Sequence, residues 1–166
     1  MNVIDWLSAN TPGFANLPVP DRDAMMQFSL LWGLFEDQAL NHEASAGALA
    51  AFVQRCVAAG TFRPEVFAAP LAYFQQRYFH EGVPTPHLDH LHLRQGDQPG
   101  LVRAVLSGQE QNPHSHAIAC LIVVYRFRNN LFHGLKWVYQ LQDQLENFTH
   151  ANDVLMRSLE MQAARI

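Results

Sequence analysis

Apolar residues recur at helical spacing along most of the chain. Met25, Phe28, Leu31, Trp32, Phe35 and Leu40 return at intervals close to three and four, as a buried helical stripe does. Asp21 or Asp23 is placed to cap that helix, which the pattern carries to about Asn41. A second helix is expected from about Ser45 to Ala59, stopped by Gly60. A third starts near Pro64, a good first-turn residue, and reaches about Phe79, with Pro70 kinking or splitting it. A short helix is expected over Gly100–Leu106, then the turn Gly-Gln-Glu-Gln-Asn-Pro.

From about His114 the pattern changes. The run Ile-Ala-Cys-Leu-Ile-Val-Val-Tyr is apolar on every face. Its β-branched residues would suit a strand, but no alternating partner strand exists elsewhere. The run therefore reads as a central helix buried all round, continuing to Gly134. A last helix is expected from about Asp143, its capping residue, to Ala164, with Leu145, Phe148, Asn152, Leu155, Leu159 and Gln162 near one stripe.

Punctuation falls unevenly. All nine prolines lie at or before Pro113, so the rest of the chain is free to form long helices. Residues 1–20, with Pro12, Gly13, Pro18 and Pro20, read as an irregular arm, and residues 80–97 as a loop. Residues 21–166 read as one helical domain with no repeats. The expected fold is all-α, an up-and-down bundle of five or six helices.

At 166 residues and 49% hydrophobic, the chain can build one real core. Charged residues make up 16%, against roughly 25% in an average domain, which excludes a disordered tail and leaves apolar surface for a partner. Cys56 and Cys120 stand far apart in apolar helical patterns and read as buried thiols of a reducing compartment. The first residues carry no basic group before Arg22 and do not read as a secretion signal. The longest apolar run, Ala117–Tyr125, has nine residues and is too short for a bilayer. The expected location is cytoplasmic.

The net charge of −4 argues against a protein that coats nucleic acid through bulk positive charge. Residues 101–142 are the exception, holding Arg103, Arg126, Arg128 and Lys136 against Glu110 alone. A short basic stretch of this kind suits a local anion site.

Candidate chemistry concentrates where the central helix ends. Tyr125-Arg126-Phe127-Arg128-Asn129-Asn130-Leu131-Phe132-His133-Gly134 packs two arginines, two asparagines and a histidine into eight residues, with Lys136 beyond. On a helix Asn129 and His133 share a face, and Arg126 falls on it too. Arg128 lies about 140° round from His133 on an ideal helix. A buried arginine needs an anion. That anion is either a ligand phosphate or an internal acid such as Glu36 or Asp37, in which case His133 is a helix-end cap. The loop histidines His87, His90 and His92 beside Asp89 could approach a metal, with His114 and His116 completing the set, but their spacing suits a solvated loop better. Tyr73, Phe74, Tyr78 and Phe79 read as core rather than as a base-stacking platform.

The segment Arg128-Asn129-Asn130-Leu131-Phe132-His133 resembles the motif of the HEPN superfamily, all-α nucleotide-binding bundles in which an arginine is followed by a histidine after four to six residues. The polar slot after the arginine holds Asn129, and the close match covers about ten residues. Trp32, Phe35 and Glu36 are weakly similar to the family's first helix.

The resemblance implies a metal-independent endoribonuclease, needing no cofactor, that leaves a 2′,3′-cyclic phosphate. A toxin or defence effector is one implied role. Arg128, His133 and Asn129 would be catalytic, and Arg126, Asn130 and Lys136 would bind substrate. A histidine with an ordinary pKa near ~6.5 can act as base or acid at neutral pH. An arginine fork suits the growing charge on phosphate. One site supplies one histidine, so the family's habit of dimerising implies a homodimer with His133 of both chains in one cleft. RNA is the implied substrate, with an antitoxin or a nucleotidyltransferase as controlling partner and no membrane. The alternative is a non-catalytic HEPN-like dimeric interaction or nucleotide-binding module.

Overall fold

The computed structural model describes residues 2–132 and 143–165. They are mostly helical, as an all-α reading requires. The first helix, α1 (Val3–Asn10), forms where an irregular arm was expected. Its cause is local: the Asn2 side chain accepts from the Asp5 N–H, capping the helix. Ile4 and Leu7 then pack on the core.

α2 (Val19–Leu40) begins two residues ahead of Asp21 and four ahead of Asp23, the expected caps, because Pro20 fits the first turn without losing a helical bond. It ends at Asn41, whose left-handed backbone (φ 51°) terminates the helix. α3 (Ala46–Ala58) is capped by the Ser45 hydroxyl, which accepts from the Ala48 N–H at 3.1 Å.

The expected Pro64 helix is divided, and Pro70 does not divide it. A 3-10 turn (Pro64–Phe67) leads into α4 (Ala68–Tyr78), and Pro70 lies in the first turn of α4, where its missing N–H breaks nothing. Residues 79–97 contain a two-residue antiparallel hairpin, β1 (Phe79–His80) and β2 (Val83–Pro84), and two 3-10 turns, Pro86–Leu91 and Gln95–Asp97. α5 (Pro99–Leu106) follows, then α6 (Pro113–Phe132) and α7 (Leu145–Ala163). Asp143 is not the cap of α7. It precedes the Gln144 cap with a left-handed backbone of φ 59°.

α6 is the axis of the molecule. Ala119 to Val124 are buried in succession, as an apolar run without a polar face must be. α3 and α5 pack against it, and α2 lies along α7. Phe28, Phe35, Phe52, Phe74, Phe127 and Phe148 carry much of the core, with rings 5–7 Å apart in tilted and edge-on pairs. Cys56 and Cys120 are buried free thiols, and burial pushes both thiol pKa values up. No helix among the described residues is long and apolar enough to cross a membrane.

Candidate functional site

The last two turns of α6 carry four polar side chains, and the fold divides them. Arg126 and Asn130 face the 79–97 segment. Arg126 is 1% exposed. Its Nε donates to the Leu91 carbonyl at 3.0 Å, and its Nη1 stands 3.3 Å from Asp97 Oδ2. Asp97 is held in turn, because the same oxygen accepts from the Arg94 N–H at 2.8 Å. Burial pulls the Arg126 pKa down, and the Asp97 charge opposes that pull. Asn130 donates to the carbonyls of His90 (3.1 Å) and Leu91 (3.4 Å). These bonds fasten the long loop to the central helix. The acid facing Arg126 is therefore Asp97, and neither Glu36 nor Asp37. Glu36 accepts from the Trp32 indole at 3.0 Å, and Asp37 pairs with His42 at 3.3 Å. Nothing in the sequence pattern pointed to Asp97, since a loop acid has no periodicity to tie it to a helix face.

Arg128 points elsewhere. Its guanidinium lies 5.4 Å from the centre of the Phe132 ring, and Phe132 is exposed. Its Nη1 donates to Asn129 Oδ1 at 3.0 Å. Its Nε is sealed from solvent and has no hydrogen-bond partner among the described residues. No described carboxylate forms an ion pair with it. Arg128 is thus a half-buried cation braced by a neutral amide and left without a counter-charge among the described residues. Asn130 Oδ1 is also buried without a described partner.

His133 and Lys136 lie outside the described residues, so the Arg128–His133 geometry does too. The loop histidines sit on the first 3-10 turn, with the His87 and His90 rings 6.1 Å apart and edge to face. Among the described residues no three His, Cys, Asp or Glu side chains gather closely enough to hold a metal ion. Phe74 and Tyr78 are core residues, and Tyr73 and Phe79 pack against the core as partly buried neighbours.

Comparisons of the chain with protein-family models, with curated proteins and with solved structures give no match.

Proposed function

We infer that the protein is a metal-independent endoribonuclease of the HEPN type, working as a homodimer. The observation that carries this reading is Arg128. A half-buried guanidinium with no acid among the described residues is costly unless an anion completes it. Phosphate is the anion its planar fork fits best. Arg128 holds the scissile phosphate and takes up the charge that grows on its oxygens, and Asn129 fixes the fork by accepting from Nη1.

In the proposed reaction the ribose 2′-hydroxyl attacks the adjacent phosphorus. The P–O5′ bond breaks, leaving a 2′,3′-cyclic phosphate and a free 5′-hydroxyl. One His133 removes the 2′-hydroxyl proton as the other, from the second chain, protonates the leaving oxygen. Arg126 and Asn130 are positioning residues in this scheme. They hold the loop and the helix end together and do not meet RNA.

A second reading is a non-catalytic dimeric binding module. It is favoured by the Arg126–Asp97 pair, which turns half of the polar cluster to structural use.

Cleavage of an RNA oligonucleotide, set beside the same oligonucleotide carrying 2′-deoxyribose throughout, separates the two. The catalytic reading expects cyclic-phosphate ends from the RNA, none from the deoxy strand, and loss of cleavage in His133→Ala. RNA binding without cleavage at any pH establishes the second reading in its place.

A further inference from the structure

α1 is a formed helix with little to pack on. Its Asn2 cap acts locally, but a helix of eight residues is marginal unless an apolar face is packed. None of its residues is buried. Ile4 and Leu7 reach the core only in part, and Val3 stays 72% exposed. Between α1 and α2 runs a groove of 550 Å³, within the ~300–1,000 Å³ of small-molecule sites. Val3, Ile4 and Leu7 line it from α1, Met26 from α2, and Phe132 from the end of α6.

The lining decides what kind of ligand fits. Among the described residues, Arg22 and Ser29 bring the only polar side chains to it. The Ser29 hydroxyl turns back on its own helix and donates to the Met25 carbonyl at 3.0 Å. Arg22 is half-buried, with its guanidinium 5.8 Å from the centre of the Phe14 ring. No carboxylate among the described residues pairs with it.

A nucleobase would bury its ring nitrogens and carbonyls here with a single guanidinium to meet them, and each polar edge left unpaired weakens binding. An alkyl chain has no such edges and gains from every methylene it takes out of water. The free cation asks for an anion on the same molecule, and a carboxylate matches its planar fork.

We propose that the groove binds a long-chain carboxylate, a fatty acid, with its chain laid between α1 and α2 and its carboxylate on the Arg22 guanidinium. The chain covers Val3, Met26 and Phe132, three large apolar side chains that the described fold leaves exposed. It also gives α1 the apolar contact that its own residues do not find. Phe132 carries Arg128 on its ring, so an occupied groove abuts that arginine. Binding here does not depend on RNA cleavage, in which neither Arg22 nor Met26 has a part.

Isothermal titration calorimetry of the full chain tests the site, with dodecanoate and with dodecyltrimethylammonium, the same chain on a cationic head, both kept below their micelle concentrations. Dodecanoate is expected to bind in the micromolar range, with a negative heat-capacity change from the buried chain. The cationic ligand is expected to bind about tenfold more weakly or worse, since it lacks the charge-assisted hydrogen bond. Arg22→Gln is expected to abolish that preference, and Met26→Gln to weaken both ligands about tenfold by setting an amide against the chain. Both side chains are at least partly exposed, so both variants are expected to keep the wild-type circular dichroism. Failure of dodecanoate to bind overturns the proposal, as does a wild type that binds both heads alike. Arg22→Gln with its preference intact, or Met26→Gln with wild-type affinity, also overturns it. Adenosine 5′-monophosphate that binds wild type but not Met26→Gln would give the groove to a base instead.

Discussion

Two arginines two residues apart on α6 have been given opposite environments. Arg126 is sealed, bonded to a loop carbonyl and paired with Asp97. Arg128 is half-exposed, lies on an aromatic ring and has no acid among the described residues. Their separation on the helix, about 200°, sends one into the packed loop and the other toward the α2 side. Burial alone would have marked Arg126 as the unusual residue. Partnership marks Arg128, since a buried charge with a partner is structure and a cation without one is available to a ligand.

The comparison breaks most visibly at Arg126. Arg126→Ala leaves Asp97 buried and uncompensated, so urea unfolding is expected to show a loss of about 3–5 kcal/mol. A loss below ~1 kcal/mol, the size of an exposed pair, would remove the structural role. Arg128→Ala is expected to do the reverse. Stability falls by no more than ~1 kcal/mol, the worth of a surface cation–π contact, while the RNA cleavage rate falls about 100-fold or more. Asn129→Ala removes the brace of the Arg128 fork and is expected to slow cleavage about tenfold, the value of one hydrogen bond from a charged donor.

The smallest effect belongs to an exposed pair that serves as a contrast. Arg63, at 2.8 Å, and Arg157 hold the Glu160 carboxyl below its ordinary pKa of 4.5. A depressed carboxyl favours the folded state above its unfolded pKa, and that contribution is lost as pH falls through the folded value. Melting temperature of wild type should therefore drop slightly more than that of Glu160→Gln as pH is lowered below about 4.5. Equal drops would show that the pair contributes nothing.

Most of the helical layout was legible because it rests on periodicity and caps. The start of α3 near Ser45, the buried α6 run, the end of α2 and the extent of α7 follow from short-range rules within a residue or two, whereas α2 starts ahead of the Asp21 and Asp23 caps expected for it. α1 was missed because the prolines and glycine that follow it masked a single asparagine cap. The buried row of α7 runs through Phe148, Ala151, Leu155, Ser158 and Met161, and small residues such as Ala151 and Ser158 do not register in a hydrophobic pattern. The Arg126–Asp97 pair was illegible for a different reason. It joins a helix to a 3-10 turn far upstream, and no local rule brings them together. The motif was visible as a cluster of polar residues at a helix end, but which arginine the core would claim depended on where the 79–97 loop came to rest. On α2 the stripe read from the sequence, Met25, Phe28, Leu31, Trp32, Phe35 and Leu40, is the side that packs inward.

The rate of RNA cleavage in the presence of a metal chelator, measured for wild type and for folded Arg128→Ala, bears most directly on the central claim. The account predicts that wild type cleaves with the chelator present and that the variant is slower by about two orders of magnitude at unchanged melting temperature. A variant that keeps the wild-type rate would contradict it.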